Sequence, residues 1–144
     1  MLGATTAFRR HPEKCMPRHD FDPATVIPDG RPPAKARLFD GSLAGPYRGS
    51  VNGEALGTQV TVLTYGNDEP VTGPKLHVHP YDEIFVLQEG NARFFVGDQV
   101  IDATAGETVL GPAGLPHKFI NLGPGRFQTL DIHLSPRWIR TDLE

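Results

Sequence analysis

Cysteine is almost absent from this sequence of 144 residues: Cys15 is the single one, so the chain cannot form an internal disulfide. A chain without disulfides is typical of a reducing compartment, and we expect the protein in the cytoplasm. Long apolar runs are missing as well. None approaches the roughly 20 residues that cross a bilayer, and the N-terminus lacks the continuous apolar stretch of a signal peptide. We therefore expect no association with a membrane.

Basic residues do not dominate the charge of the chain. The 14 lysines and arginines are outnumbered by 17 acidic residues, which gives a formal net charge of −3. A basic face that attracts nucleic acid or an anionic membrane is therefore not expected. The sequence also lacks a glycine-rich phosphate loop and a serine in a nucleophile elbow, which disfavours covalent hydrolase chemistry. The partner that we expect is a small molecule.

Glycine and proline, in contrast, are abundant, with 16 and 14 residues. Because helix interiors exclude both residue types, this composition disfavours long helices and favours a turn-rich all-β domain. Seven of the prolines fall within residues 1–46, a stretch without a sustained strand or helix period. We predict an irregular N-terminal arm over residues 1–46, extended or partly disordered, and one barrel domain over residues 47–144.

From residue 47 the pattern changes to short β-branched and aromatic runs that turns interrupt, such as 59–65 and 83–88. We count roughly eight such runs, at a spacing typical of a β-sandwich or a β-barrel. Residues 136–143 are compatible with a short helical turn or with a C-terminal tail.

Four side chains of this region suggest chemistry. His77 and His79 alternate along a predicted strand, so both imidazoles project from the same face. Glu83 has the same parity after a bend at Pro80, and His117 begins a later strand. Three imidazoles and one carboxylate suit iron, manganese, nickel, copper or zinc, and octahedral binding leaves about two positions open. By itself, the His-x-His pattern is also compatible with two ordinary strand histidines.

The residues around these side chains resemble the first motif of the cupin superfamily. That motif has His-x-His, three or four residues, Glu, six residues and Gly, and here it consists of His77, His79, Glu83 and Gly90. The leading glycine of the family falls at Val71, whereas the nearest glycine is Gly73. Since that glycine serves the turn before the strand, we expect the departure to leave the ligand residues undisturbed.

The second cupin motif is matched as well. It has Gly, five residues, Pro-x-Gly, two residues, His, three residues and Asn. Every spacing is met in this chain, by Gly106, Pro112, Gly114, His117 and Asn121. The resemblance covers roughly residues 50–135 and leaves the arm outside.

The resemblance implies an all-β fold, the cupin-type double-stranded β-helix or jelly-roll barrel, with a metal ion inside its mouth. It implies one divalent transition metal per chain, held by His77, His79, Glu83 and His117. Glu83 could also act as a base. Because cupins are often homodimers, the resemblance implies a homodimer too.

Side chains that share a face with the expected ligands predict an apolar substrate pocket. Phe85 and Leu87 have the parity of the carboxylate ligand, and Phe119 has that of the last histidine ligand. In the final strand both faces have mixed polarity, so which of them points inward stays open. If the face that carries His133 does, His133 is a candidate for proton transfer. Tyr81, Asp82 and Lys118 flank the expected ligands, and we expect them in solvated loops, with contact to the substrate at the rim as the alternative.

These expectations favour a metal-dependent cupin enzyme of the dioxygenase or oxidoreductase type that acts on a small organic molecule. A non-redox isomerase or lyase would use the same ion to polarise a carbonyl or to stabilise an enolate. A non-enzymatic cupin that binds a metal or a small molecule is the alternative from another class. The sequence does not separate these three functions.

Overall fold

The computed structural model describes residues 20–144. Residues 1–19, which include Cys15 and the first part of the predicted arm, lie outside the described part. Contacts divide the chain into two compact units, Met1–Arg31 and Pro32–Glu144. The predicted boundary between arm and barrel, after residue 46, falls within the second unit and stays a prediction.

In the described part of the first unit, a turn of 3₁₀ helix spans Pro23–Thr25. Its N-terminus is capped by Asp22, whose Oδ1 accepts a hydrogen bond from the backbone amide of Ala24 at 2.9 Å. No helix of residues 20–144 has the length and apolar character that a membrane crossing requires.

The described residues of the second unit form short strands, with one helical turn, α1, after the first strand. Their bounds are β1 Tyr47–Val51, α1 Gly53–Leu56, β2 Thr61–Asn67, β3 His77–Val78, β4 Glu83–Glu89, β5 Asn91–Val96, β6 Gln99–Thr104, β7 Thr108–Gly111, β8 His117–Asn121, β9 Phe127–His133 and β10 Thr141–Asp142. Each of the eight predicted runs coincides with one of the strands β2 to β9. The sequence analysis missed α1 and the two terminal strands β1 and β10.

The strands form two five-stranded antiparallel sheets. In the first sheet the order is β1-β2-β9-β4-β7, and in the second it is β10-β3-β8-β5-β6. The chain changes sheets at every connection from β2 to β10 except the one between β5 and β6. Consequently Glu83, at the start of β4, and His77, on β3, belong to opposite sheets. The predicted all-β class is confirmed.

Alternating burial along the strands builds one hydrophobic core between the sheets. On β9, for example, every second residue from Phe127 to His133 is buried. Aromatic rings join the two sheets, since Phe85 of β4 lies 5.7 Å from Phe119 of β8 between ring centroids. Burial of such a side chain stabilises the fold by about 1.5–3 kcal/mol. The core consists of Tyr65, Phe85, Leu87, Ala92, Phe94, Val96, Ala103, Val109, Phe119 and Phe127.

The turn before β3 explains the departure from the first motif. Val71, at the position of the leading glycine, has a φ of 65°, a left-handed conformation that a β-branched residue rarely adopts. Its amide donates a hydrogen bond to the Asn121 carbonyl at 2.8 Å, which ties the turn to the end of β8. Gly73 is required for a different reason, because a Cβ there would lie 1.7 Å from the Phe119 carbonyl oxygen. The turn therefore keeps its glycine-type geometry although valine occupies the position.

The segment after β9 forms a tail with a strand rather than a helical turn. Thr141 and Asp142 pair with Val78 and His77, so that β10 becomes the edge of the second sheet beside β3. The amide of Leu143 continues this pairing with a hydrogen bond of 2.8 Å to the Leu76 carbonyl. The expectation of a possible helical turn over 136–143 was wrong, because β3 offers this segment an open strand edge.

Candidate metal centre

Two antiparallel strands bring His77 and His117 together. The residues are direct partners in the register of β3 and β8, so both imidazoles leave the same face of the sheet. His79 follows β3 with the same parity. All three side chains are buried, with 5% or less of each residue exposed.

Glu83 completes the cluster from the opposite sheet. It is the first residue of β4 and is 2% exposed. Its Oε2 lies 3.0 Å from Nε2 of His79 and 3.0 Å from Nε2 of His117. One ligand atom from each of the four groups, including His77, falls within 4.8 Å of all the others. The structure thus brings together the four residues that the sequence analysis singled out.

Backbone carbonyls fix the tautomer of each imidazole. Nδ1 of His77 contacts the Lys75 carbonyl at 2.7 Å, and Nδ1 of His117 contacts the Leu115 carbonyl at 3.0 Å. His79 makes the equivalent contact at 2.5 Å with a carbonyl of the C-terminal tail. Since a carbonyl only accepts hydrogen bonds, Nδ1 of each ring must donate. The neutral rings therefore present unprotonated Nε2 atoms, the form in which histidine binds metals.

This arrangement of lone pairs fits a metal ion. Nε2 of His79 has no hydrogen-bond partner, although it lies only 3.0 Å from Glu83. Imidazole lone pairs and a carboxylate at such distances repel each other unless a proton or a cation lies among them. Three buried imidazolium ions around one carboxylate would leave excess positive charge in an apolar interior, which is costly. A divalent cation shared by the four groups would coordinate each of these lone pairs, and its charge of +2 is lower than that of three imidazolium ions.

The pKa shifts follow from burial and from mutual contact. Burial lowers the pKa of His77 to about 4, against the hydrogen bond with Lys75, which acts to raise it. For Glu83, burial acts to raise the pKa, but hydrogen bonds from the imidazoles of His117, His133 and His79, when these rings carry a proton on Nε2, outweigh it and lower the pKa well below its usual range. Near neutral pH, His77 is therefore uncharged and Glu83 is ionised, as metal binding requires.

Comparison with known families decides the identity of the fold. The sequence profile of the cupin domain matches residues 65–133, the region that contains both motifs and the four clustered residues. The chain belongs to the cupin superfamily. No curated protein sequence matches this cupin at a significant level.

Solved structures similar to this cupin include enzymes of different activity. The Bacillus subtilis oxalate decarboxylase with Mn(II) centres has a TM-score of 0.63 and 18% identity over 71% of this chain and 29% of its own. An oxalate oxidase in complex with glycolate has a TM-score of 0.54 and 20% identity over 59% and 46% of the two chains. Peruvianin-I, a cysteine peptidase from Thevetia peruviana latex, has a TM-score of 0.55 and 17% identity over 59% of this chain and 56% of its own. The chain thus spans less than a third of the decarboxylase, and these likenesses show the jelly-roll fold alone.

A fourth imidazole of this cupin, that of His133, reaches the carboxylate from the other side. On β9 the face with His133 points inward, which resolves the alternative that the sequence left open. Nε2 of His133 lies 3.1 Å from Oε1 of Glu83. The two residues are direct partners in the register of β4 and β9. Nδ1 lies 3.3 Å from the hydroxyl of Tyr81. His133 is therefore in contact with the cluster but is not one of its four candidate ligands.

Tyr81 was expected in a solvated loop, and that expectation was wrong. The residue is 8% exposed, and its ring stacks on His79 with centroids 4.9 Å apart. Its hydroxyl donates to the carbonyl of Ile139 at 2.8 Å and accepts from the amide of the same residue at 3.1 Å. The Tyr81 proton is thus used, so Nδ1 of His133 must be the donor in their contact. Nothing local in the sequence predicts these links, because Ile139 lies 58 positions away.

A small cavity of about 10 Å³, room for about one water molecule, lies beside the cluster. Phe85 and Phe119, two residues of the predicted substrate pocket, border it, whereas Leu87 packs in the core. Tyr47 and Arg140 border the same cavity and contact each other through a hydrogen bond of 2.5 Å from Nη1 of the arginine to the tyrosine hydroxyl. Aromatic side chains and one guanidinium thus enclose the inner end of the candidate site.

Proposed function

We propose that this cupin is a metal-dependent enzyme that acts on a small organic molecule, with a dioxygenase-type oxidation as its reaction. One divalent transition metal per chain would be held by His77, His79, Glu83 and His117. The observation that carries the proposal is the convergence of three imidazoles on one buried carboxylate, with Nδ1 of each ring at a backbone carbonyl. A binding set of this kind is suited to a redox-active ion with open positions.

The residues around the site have distinct tasks in this proposal. When bound, the metal would supply Lewis acidity and, if redox-active, electron transfer. His133 would accept or deliver a proton at Nε2, held in place by the Tyr81 hydroxyl at Nδ1. Phe85 and Phe119 would exclude water from the reacting groups.

Two alternatives have support of their own. A non-redox lyase or isomerase reaction is supported by His133, which offers a proton carrier that such chemistry needs, and by the likeness in fold to oxalate decarboxylase. A binding function without turnover is supported by the size of the cavity, which is too small for an organic substrate unless the surrounding side chains move.

The deciding experiment measures metal content and oxygen uptake of the same preparation. Protein purified without a tag is analysed for bound metals and then screened with catechol, diketone, thiol and oxalate compounds. One equivalent of iron or another redox metal, together with substrate-dependent oxygen uptake, supports the dioxygenase. Turnover without oxygen supports the lyase or isomerase. A chain that binds no divalent metal, even after reconstitution, would refute the proposal.

A matched pair of variants tests the ligand assignment. His117→Asn keeps a donor near the Leu115 carbonyl but removes Nε2, so we expect metal affinity to fall more than about 100-fold, since the loss of an outer contact alone costs 10–100-fold. Asp98→Asn is the control. It removes an exposed carboxylate whose one described side-chain hydrogen bond comes from Gln99, so metal affinity should stay unchanged. Equal affinity in the two variants would show that His117 is not a ligand.

Assembly and location complete the proposal. A homodimer in the cytoplasm is the state that the family resemblance and the single cysteine support. Light scattering coupled to size-exclusion chromatography measures the mass, and twice 15.7 kDa is the expected result. A mass of one chain across the accessible concentration range would refute the dimer.

A further inference from the structure

Asp131 lies in the barrel interior, at a position where the fold otherwise places apolar side chains. It belongs to the central strand β9 and stands directly opposite Leu63 of β2 and Phe85 of β4. The residue is 2% exposed, and it borders the same cavity as His77 and Glu83. Its carboxyl group therefore faces the candidate metal centre and not the solvent.

This carboxyl group is incompletely satisfied by the described part of the chain. Oδ1 of Asp131 has no hydrogen-bond partner, and neither has the hydroxyl of Thr129, two residues earlier on the same face. Burial raises the pKa of Asp131 well above its usual range, and the charge of Glu83 raises it further. A buried polar group without a partner costs stability, which an apolar residue would avoid. Such a cost is typical of groups that bind a ligand.

We infer that Asp131 is a substrate-binding residue of this centre, an inference that rests on the proposed metal-dependent function. The residue borders the cavity, and its carboxyl group would accept a hydrogen bond from a hydroxyl, or when protonated donate one to a carbonyl, of a compound that also reaches the four donors. Arg140 borders the same cavity, donates to the Tyr47 hydroxyl and pairs with Asp142 at 3.0 Å, so a bound carboxylate would compete with Asp142 for its guanidinium. The chemical class that matches both groups is a small hydroxy or oxo acid, because it offers a hydroxyl or carbonyl beside a carboxylate. Since the cavity has room for about one water molecule, the surrounding side chains must move to admit the acid.

The test compares acids that carry or lack an oxygen beside the carboxylate. The full chain is loaded with zinc, which is inert to redox change, and titrated calorimetrically with glycolate, with pyruvate and with acetate. In the wild type we expect tighter binding of glycolate and pyruvate than of acetate. Asp131→Leu should bind glycolate at least about tenfold more weakly and lose the preference over acetate. Zinc affinity should not change, and the melting temperature should rise by roughly 2–8 °C.

Two further variants separate binding from packing. Thr129→Val also removes an unpartnered buried hydroxyl but does not border the cavity, so it should raise the melting temperature and leave glycolate binding unchanged. Asp131→Asn keeps the shape of the side chain and should fold where the leucine variant does not. Because its amide both donates and accepts hydrogen bonds, glycolate binding should fall less than in Asp131→Leu.

The outcomes distinguish this inference from the function on which it rests. If the wild type takes up no divalent metal, the proposed function fails and the inference fails with it. If the metal binds but both Asp131 variants hold glycolate like the wild type, only the inference is overturned. A loss of zinc affinity in these variants would make Asp131 a metal ligand and overturn it as well. If the wild type prefers neither acid to acetate, the assigned ligand class is wrong.

Discussion

The backbone carbonyl of Ile139 accepts a hydrogen bond of 2.5 Å from Nδ1 of His79, across 60 positions of the chain. The hydroxyl of Tyr81 donates to the same carbonyl at 2.8 Å. Because this contact requires the proton of His79 to be on Nδ1, the lone pair of Nε2 is turned toward Glu83. The tail after β9 therefore helps to fix the orientation and tautomer of His79, a candidate metal ligand.

Removal of this carbonyl should weaken metal binding. A chain that ends at Ser135 lacks Ile139, and we expect its metal affinity, measured by calorimetric titration, to fall by roughly 10–100-fold. A chain that ends at Arg140 loses β10 but keeps the carbonyl, so its affinity should stay close to that of the full chain. An equal loss in both chains would assign the effect to strand pairing.

Tyr81→Phe tests the same link without truncation. The variant keeps the ring that stacks on His79 but loses the hydroxyl that bonds to both backbone groups of Ile139. We expect a smaller reduction in metal affinity, about tenfold or less, with the fold retained in the circular dichroism spectrum. Unchanged affinity would show that Ile139 is held in place by other contacts.

Glu83→Gln distinguishes a metal centre from a structural ion-pair cluster. If the imidazoles around Glu83 were a buried structural salt-bridge network, removal of the charge would cost about 3–5 kcal/mol of the free energy of unfolding. We expect the metal-free variant to stay within about 1 kcal/mol of the wild type, because its amide can donate to an unprotonated Nε2. Metal affinity should fall more than about 100-fold. Urea unfolding of the metal-free proteins and metal titration measure the two effects.

A part of the cluster could be predicted from local geometry, whereas Glu83 and His117 lie on other strands and were assigned to it through the resemblance to the cupin motifs. Alternation on a strand places His77 and His79 on one face whatever the rest of the fold does. The face of β9 could not be predicted, because its inward residues include the polar Asp131 and His133, whereas Leu130 and Ile132 lie on the other face. A site inside the barrel thus inverts the apolar alternation on which strand assignment depends.

The missed contacts share a different cause. The link between Tyr81 and Ile139 and the pairing of β10 with β3 join residues about 60 positions apart, and no pattern of neighbours encodes such a distance. The terminal strand β10 also has only two residues, both exposed, so it lacks the alternation that identifies a strand. Tertiary context alone creates these elements.

Val71→Gly should stabilise the protein. A left-handed conformation costs an L-residue about 1–2 kcal/mol, and the side chain of Val71 is 75% exposed, so little burial is lost with it. The greater freedom of glycine in the unfolded chain offsets a part of this gain. We expect the free energy of unfolding to rise by about 0.5–1 kcal/mol in urea titrations. Val71→Ala, which keeps a Cβ at the same φ, should gain less, and a loss of stability in Val71→Gly would contradict the assignment of strain.

Gly73→Ala, in the same turn, should destabilise the protein. A Cβ there would overlap the Phe119 carbonyl oxygen at 1.7 Å, so the backbone must shift. We expect a loss of at least about 1 kcal/mol, since the neighbouring atom belongs to the backbone of β8 and cannot turn away. Thermal unfolding of Gly73→Ala beside Val71→Gly shows whether the two positions respond in opposite directions.

The free energy of unfolding of the metal-free protein should decrease as the pH is lowered through the range in which His77 is protonated in the unfolded chain but not in the folded chain. Its pKa is about 4 in the folded chain, against a usual 6.5, so the unfolded chain binds the proton first. The stabilising contribution is fully present above pH 6.5 and is lost as the pH falls toward 4. At about 1.4 kcal/mol for each pKa unit, the total amounts to about 3 kcal/mol.

His77→Asn removes this titration while it keeps a donor near the Lys75 carbonyl. We expect urea midpoints of the metal-free variant to depend less on pH between 6.5 and 4 than those of the wild type. A residual decline should persist, because the hydrogen bonds of Arg93 lower the pKa of Asp102 and this contribution is lost as acid protonates that carboxylate. If the variant and the wild type gave parallel curves, His77 would not be the group that titrates, and its burial as a neutral ligand would be wrong.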